Sequence, residues 1–213
     1  MIFLRYESFR GYLRAYPVTS VLIALNLIYF IVVAMTGNTN DAGHVIDYGA
    51  FISYPAGDPL GLQEPWRYVT SIFMHSGIQH LLFNMFSLLV FAPPLERLLK
   101  SLKYALFYLL CGILGNLLSS LISSYIQNEP HLAVGASGAI YGVYGAFLFI
   151  SLFRKAWLDE ASRKTVYTIL GFGVVYSILI PSIDLWGHVG GGLAGFVLYG
   201  LLDRAMTKRR RMN

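Results

Sequence analysis

Long apolar stretches alternate with short charged ones along most of the chain. The first, residues 18–35, contains no charged side chain. An α-helix rises about 1.5 Å per residue, so a stretch of this length crosses most of a bilayer core of roughly 30 Å. Five later stretches also lack Asp, Glu, Lys and Arg. The pattern predicts six membrane-spanning helices, at about residues 18–35, 71–91, 104–126, 136–153, 165–180 and 185–202.

Composition places the chain among integral membrane proteins. Of its 213 residues, 56% are hydrophobic and 13% are charged, and the mean hydropathy is +0.58. These values exclude an ordinary soluble domain. No linker or repeat divides the sequence, so residues 1–213 are expected to form one domain. The single cysteine, Cys111, lies in an apolar stretch and is expected to be an inert buried thiol.

The distribution of basic residues predicts the orientation. In a six-span arrangement, 15 of the 16 Lys and Arg residues fall on one side, and Arg67 is the exception. The positive-inside rule then places both termini in the cytoplasm and predicts a multi-pass protein of the cell membrane. The net charge of +5 is explained by this asymmetry, and no nucleic-acid-binding motif accompanies it.

The segments between the spans are expected to be irregular. Pro55, Pro59 and Pro65 interrupt the loop at residues 37–70, and residues 127–134 form a second, short loop. Pro93-Pro94 is expected to end the second span. His44 and His131, both in loops, are interpreted as surface residues without a role.

Polar side chains recur near the predicted outer ends of three spans. His75, His80 and Asn84 lie in the second span, Ser137 begins the fourth, and His188 lies early in the sixth. Polar groups at membrane depth are unfavourable without partners. Because these residues come from distant parts of the sequence but lie at the same predicted depth, they are expected to form a shared site.

Helical spacing suggests what this site could do. Ser137 and Tyr141 are four residues apart and share a helix face, as do His188, Gly191 and Gly195. Glycines allow a neighbouring helix to approach closely. If the two faces meet, His188 can reach the Ser137 hydroxyl while the Tyr141 ring packs on the imidazole. A serine activated by a histidine is a minimal nucleophile and general-base pair.

Three hydrogen-bond donors could stabilise a developing oxyanion. His80 and Asn84, four residues apart, can donate towards one point, and the backbone N–H of Ser137 at a helix N-terminus is a third donor. His75 is about 140° around the same predicted helix from His80, so a supporting role is expected for it. Water is expected to enter through a cavity lined by His75, His80 and Asn84.

Taken together, these motifs resemble the rhomboid family of intramembrane serine proteases. The resemblance covers essentially the whole chain and rests on the order and placement of short motifs. These are Trp66-Arg67, His75, His80, Asn84, Glu96-Arg97, Gly135-Ala136-Ser137-Gly138, Tyr141, His188, Gly191 and Gly195.

The resemblance implies an all-α bundle of six spans, like the basic bacterial form, and a role for each matching residue. Ser137 is then the nucleophile and His188 the base, without a third acidic member. His80 and Asn84 belong to the oxyanion hole, and Tyr141 stacks on the histidine. His75, Gly135, Gly191, Gly195, Arg67 and Glu96 are supporting residues. The expected substrates are single-pass membrane proteins cut within or beside their transmembrane segment, with no cofactor, metal or nucleic acid.

Other classes of protein fit the sequence less well. A zinc site built from His75, His80 and His188 would lack the H-E-x-x-H motif and a nearby carboxylate. The serine motif also lacks the second glycine of G-x-S-x-G. A proton or ion pathway is opposed by the lack of Asp and Glu within the predicted spans. A non-catalytic membrane chaperone with the same fold is the other alternative, and it would tolerate Ala at position 137.

Overall fold

A computed structural model describes the backbone of residues 1–212 and the side chains of residues 1–207. The described chain is mainly helical, with two short strands, β1 (Phe51–Ser53) and β2 (His131–Ala133). The helices are α1 (Phe9–Ala15), α2 (Pro17–Thr36), α3 (Ala42–Asp47), α4 (Arg67–Thr70), α5 (Gly77–Leu99), α6 (Ser101–Ile122), α7 (Ser137–Phe153), α8 (Glu160–Leu179) and α9 (Leu185–Met212).

Each predicted span corresponds to one of the long helices α2 and α5 to α9. Within the described residues, four helical segments are both long and apolar enough to cross a membrane: Pro17–Thr36, Gly77–Leu99, Ser101–Gln127 and Leu185–Thr207. Helix α7 is apolar but shorter, with 17 residues. The predicted helical membrane architecture is therefore confirmed. Lys208 to Arg211, part of the charge count above, lie outside the described side chains.

The bounds predicted for the second span were wrong at both ends. Ser71–Phe73 forms a 3₁₀ turn, and α5 begins at Gly77 and continues through Pro93 and Pro94 to Leu99. A proline at position 93 cannot donate to the carbonyl of Leu89, four residues earlier. The Tyr12 hydroxyl donates to that carbonyl at 3.1 Å. This external donor satisfies a backbone group that the proline leaves free.

The loops contain more regular structure than predicted. Helices α3 and α4 and strand β1 lie within residues 37–70, and β1 pairs antiparallel with β2, with Phe51 opposite Ala133. Three-residue strands are too short to show a periodic pattern, and this pairing joins segments about 80 residues apart. Strand β2 leads directly into α7, so the sheet helps to place the start of that helix.

Glu96, on the last turns of α5, is buried with 1% of its surface exposed and caps the start of α2. Its carboxylate accepts hydrogen bonds from the Val18 and Thr19 N–H groups at 2.9 and 2.8 Å. It also accepts from the Thr19 and Ser101 hydroxyls at 2.7 and 2.8 Å. These backbone donors have no partner within α2 itself. Glu96 therefore joins the start of α2 to α5 and α6.

Acidic residues occur in the long helices, but outside the bounds of the predicted spans. Glu96 lies in α5 because that helix extends beyond the predicted span, and Asp203 lies in α9. Asp203 is buried and pairs with Arg154, with an N–O distance of 2.6 Å. Both carboxylates have partners, as buried charges require.

The centre of the bundle is formed by α6, α7 and α9 and packs through glycines. A Cβ atom at Gly191 would overlap the Gly138 carbonyl, and one at Gly195 would overlap the Gly142 carbonyl. A Cβ at Gly142 would also collide with Cys111 of α6, which is buried and free. The expected close approach of the fourth and sixth predicted spans is therefore present in the structure.

Large apolar side chains cover much of the outer surface. They are exposed on α2, α5 and α8 and would be unfavourable in water, whereas they suit a lipid environment. Examples with more than half of their surface exposed are Val21, Ile28, Phe83, Phe86, Phe172 and Leu179.

Candidate active site

Ser137 is the first residue of α7, and the chain enters this helix through a turn at Gly135. Gly135 has φ +123°, a conformation that favours glycine, and its N–H donates to the Ser71 carbonyl at 2.9 Å. The backbone N–H of Ser137 is one of the first four in the helix, which have no intrahelical acceptor. The turn thus presents both the Ser137 hydroxyl and an unpaired backbone donor.

His188 lies on the first turn of α9, and Asp184 fixes the start of that helix. The Asp184 carboxylate accepts from the Gly187 N–H at 2.8 Å, and its carbonyl accepts from the His188 N–H at 3.1 Å. The Tyr141 ring stacks on the His188 imidazole, with ring centres 4.1 Å apart and an interplanar angle of 9°. The predicted packing of these two rings is present.

Ser137 and His188 line one small cavity between α6, α7 and α9. Its volume is about 20 Å³, room for about one water molecule. Asn116 of α6 and Asp184 also line it. Among the described side chains, no hydrogen bond joins the Ser137 hydroxyl to His188. Proton transfer between them therefore requires the two groups to move closer, as catalytic pairs often do when substrate binds.

The water route expected along His75, His80 and Asn84 stays a prediction and is distinct from the cavity that Ser137 and His188 share. Its lining contains none of His75, His80 and Asn84. Those three residues belong to α5 or precede it, whereas the cavity is bounded by α6, α7 and α9 and by the segment that follows β2.

His80 lies beside the turn that carries Ser137. A Cβ at Gly135 would stand 2.7 to 2.8 Å from the His80 ring and 3.6 Å from the Ser137 hydroxyl oxygen. Only glycine leaves room for this approach. Asn84 is buried one turn further along α5 and uses one amide hydrogen on the His80 carbonyl, at 2.9 Å. Its second amide hydrogen can serve another acceptor.

The predicted separation of His75 and His80 around one helix was wrong. His75 precedes α5, which begins at Gly77, so helical spacing does not govern the pair. Their rings meet edge to face with centres 5.0 Å apart, and His75 is buried. Within the described residues, no three His, Cys, Asp or Glu side chains are grouped as they would be around a metal ion.

Arg67 is buried at the start of α4 and ties the loop before α5 together. It donates to the Ile46 and Ala50 carbonyls at 2.6 and 2.9 Å and pairs with Glu64 at 2.8 Å. Its guanidinium also lies 4.6 Å from the centre of the Trp66 ring. These contacts give Arg67, the exception in the predicted charge count, a structural role in this loop.

Sequence reasoning missed two groups next to the cavity, Asn116 and the Asp184–His131 pair. Asn116 donates to the Ser71 hydroxyl at 2.9 Å, which ties α6 to the 3₁₀ turn before α5. An Asp four residues before His188, following the turn of Pro181, was a visible signal for a helix cap.

His131 was predicted to be a surface residue, but it is largely buried and lies 3.4 Å from the Asp184 carboxylate. Ser119 donates to the same carboxylate at 2.5 Å. Burial acts to raise the pKa of Asp184, but the hydrogen bonds and charge of His131, with the Ser119 and Gly187 donors, hold the pKa below its usual value. Only the tertiary fold brings the β2 residue to this helix start.

The fold and the site define a class of protein: a multi-pass helical membrane protein with a serine at one helix start and a histidine at another. Comparison with known families narrows this class. The Rhomboid domain family matches residues 62–205. The chain belongs to the rhomboid family.

Known relatives cover different shares of their own length. YdcA of Bacillus subtilis (strain 168), named as a candidate rhomboid protease, is 35% identical over 98% of this chain and 100% of its own. Rhomboid protease GluP of the same organism is 30% identical over 84% of this chain but 33% of its own. RHOMBOID-like protein 6, mitochondrial, of Arabidopsis thaliana is 36% identical over 63% of this chain and 43% of its own. Family membership implies a hydrolase with intramembrane protease activity.

Proposed function

We propose that the protein is a serine endopeptidase that cleaves single-pass membrane proteins within or beside their transmembrane segment. Ser137 acts as the nucleophile and His188 as the general base, and no metal or cofactor takes part. The observation that carries this proposal is the shared cavity of Ser137 and His188, with Tyr141 of the serine's own helix stacked on the imidazole.

The reaction follows from the positions of the groups. His188 takes the Ser137 hydroxyl proton as the serine oxygen bonds to the scissile carbonyl carbon. The carbonyl oxygen becomes an oxyanion, which the Ser137 N–H, His80 and the free Asn84 hydrogen can stabilise. The protonated His188 then gives its proton to the leaving amine. Water then enters and loses a proton to His188 as its oxygen bonds to the acyl carbon. The ester bond to Ser137 breaks, His188 returns the proton to the Ser137 oxygen, and the second product leaves.

The substrate must expose a peptide bond to this site. Carbonyls in a membrane helix are held by hydrogen bonds within the helix, and breaking these in lipid is unfavourable. Substrates with helix-weakening residues such as Gly or Pro near the cleavage point are therefore preferred. The apolar faces of α2, α5 and α8 allow such a segment to approach from the bilayer.

The proposed topology has six spans, α2 and α5 to α9, with both termini on the cytoplasmic side of the cell membrane. Labelling engineered cysteines in intact cells tests it, since native Cys111 is buried. An impermeant reagent is expected to modify Asp58→Cys and Glu129→Cys but not Asp159→Cys or Lys164→Cys. The reverse labelling pattern would refute the orientation.

The activity is tested by incubating the purified protein with a library of single-pass substrates in lipid vesicles. Wild type is expected to cut a subset of the library, whereas Ser137→Ala is expected to cut none. Labelling by a fluorophosphonate, which reacts with activated serines, should likewise require both Ser137 and His188. If Ser137→Ala remains fully functional in the cell and wild type cuts no substrate, the protein is instead a membrane chaperone or an ion-pathway protein.

A further inference from the structure

Ser177 of α8 makes a contact that the proposed mechanism leaves unused. Its hydroxyl oxygen lies 2.8 Å from Nδ1 of His188. Both residues are buried, with 4% and 8% of their surface exposed. Among the described side chains, Ser177 is the one that forms a hydrogen bond with the His188 ring. Ser177 therefore contacts the proposed general base directly.

A second contact of Ser177 decides which atom donates. The Ser177 oxygen is also 2.7 Å from the Gly173 carbonyl, one turn earlier in α8. A carbonyl oxygen can only accept, so in this bond the single hydroxyl hydrogen points at Gly173. The Ser177 oxygen then offers His188 a lone pair. Nδ1 must carry the hydrogen in the bond between them.

This assignment leaves the other ring nitrogen, Nε2, without a hydrogen and ready to act as a base. The two nitrogens of a neutral histidine are distinct, and a hydrogen bond to one selects the form of the other. Tyr141 restrains the ring from its face at 4.1 Å, and Ser177 restrains it from its Nδ1 edge. Together they fix both the plane and the proton position of His188.

The nearest carboxylate, that of Asp184, does not orient the His188 ring. Asp184 lies four residues before His188, but its oxygens are bonded to Ser119 and the Gly187 N–H and paired with His131. In the described structure it makes no side-chain hydrogen bond to His188. The residue that orients the imidazole comes instead from α8, a different helix.

We propose that Ser177 is a positioning residue that holds His188 in the Nδ1-protonated form. This inference rests on the proposed function. During the reaction, the Ser137 proton moves to Nε2 as the serine oxygen bonds to the substrate carbon, and it leaves Nε2 for the departing amine. The Nδ1 hydrogen stays on its nitrogen throughout, directed at the Ser177 oxygen. The neutral hydroxyl orients the ring without adding a negative charge.

The test compares two substitutions of nearly equal shape. Ser177→Thr keeps a hydroxyl that can bond both the Gly173 carbonyl and His188, whereas Ser177→Val removes it. We expect kcat of Ser177→Val to fall about tenfold with KM unchanged, the scale of one hydrogen bond worth about 1.4 kcal/mol. Ser177→Thr should stay within about twofold of wild type. Thr165→Val is the matched control, because Thr165 makes the same back-bond on α8, to Ala161 at 2.9 Å, away from the site.

A spectroscopic measurement separates positioning from packing. In ¹⁵N-histidine-labelled protein, with the His188 signal assigned from His188→Gln, wild type and Ser177→Thr should show a protonated Nδ1 and a free Nε2. Ser177→Val should show a mixture of the two neutral forms. An unchanged form and unchanged kcat in Ser177→Val would overturn the inference, as would equal losses of kcat and melting temperature in the Val and Thr variants.

The failure of the inference is distinguishable from failure of the proposed function. Proteolysis that depends on Ser137 but is indifferent to Ser177→Val refutes the inference alone. Proteolysis that survives Ser137→Ala refutes the proposed function and, with it, the catalytic meaning assigned to Ser177.

Discussion

Glu96, buried beside the start of α2, and Ser137, half-buried at the start of α7, use their hydrogen-bonding capacity in opposite ways. Glu96 accepts four hydrogen bonds at the start of α2, from the Val18 and Thr19 N–H groups and from two hydroxyls. The Ser137 hydroxyl, at the start of α7, makes no hydrogen bond within the described side chains, although it lines a cavity with His188. A fully bonded group stabilises the fold, whereas an unpaired nucleophile is available for reaction.

The surroundings of the two sites differ in the same way. Around Glu96, the partners come from α2 and α6, and the carboxylate is buried between the helices. Around Ser137, the glycines of α7 and α9 bring backbones together but leave a cavity of about 20 Å³. Close helix contact through small residues can therefore rigidify a site without filling it. Substitution of Glu96 is therefore expected to change mainly stability, and substitution of Ser137 mainly activity.

The largest effect is expected from the proposed nucleophile and base. Ser137→Ala and His188→Ala should each lower proteolysis by at least about a thousandfold. Because neither side chain caps the start of a helix as Glu96 does, the melting temperature should fall less than in Glu96→Ala. Rates of substrate cleavage and thermal melting in one detergent provide the measurement.

The double variant is the control for the pair. Since the two groups act as a unit, Ser137→Ala with His188→Ala should be no worse than either single change. Additive losses, or full activity in one single variant, would contradict the proposed dyad.

The next effect is on stability and concerns Glu96. Glu96→Ala leaves two buried N–H donors of α2 without acceptors and should lower the free energy of unfolding by about 2–4 kcal/mol. Activity per folded molecule should be retained. Glu160→Ala is the control, because Glu160 is 71% exposed and its pairing with Lys164 should contribute less than about 1 kcal/mol. Equal melting temperatures for the two variants would show that Glu96 stabilises the fold no more than an exposed carboxylate does.

A smaller loss of activity is expected from the proposed oxyanion donors. His80→Ala and Asn84→Ala should each lower kcat by up to about a hundredfold with little change in KM. The Ser137 N–H and the other side chain limit the loss. His75→Ala should instead lower the melting temperature, because His75 is buried against His80. Unchanged kcat with lowered stability at His80 and Asn84 would assign them to the fold.

The smallest effect concerns Asp159, which caps α8. Its carboxylate accepts from the Ser162 hydroxyl and N–H at 2.6 and 3.0 Å, and these bonds lower the pKa of Asp159 to about 2. The pKa is lower in the folded state, so the stabilisation is complete above about pH 4 and is lost as pH falls to about 2. Asp159→Asn should lower the melting temperature by about 1–3 °C at neutral pH. That difference should disappear near pH 2, whereas the exposed loop variant Glu129→Gln should match wild type throughout.

Much of the architecture could be predicted from the pattern of apolar residues. Stretches of about 18 uncharged residues form helices in a membrane because backbone groups must bond internally there, so the positions of α2 and α5 to α9 were foreseeable. The bounds of α5 were not, because Pro93-Pro94 normally ends a helix and the compensating donor, Tyr12, comes from α1. Short elements such as β1 and β2 depend on pairing between distant segments and leave no periodic signal.

The sequence by itself determined the class of protein, the family resemblance and the identity of Ser137, His188 and Tyr141 as one group. Helical spacing and motif order carry that information, because residues four apart share a face in any helix. The tertiary structure decided which further groups join them. Asp184 meets His131 of β2, and Ser177 meets His188, only because separate elements converge. Such contacts depend on how helices rotate and pack against one another, and no local pattern in the sequence specifies them.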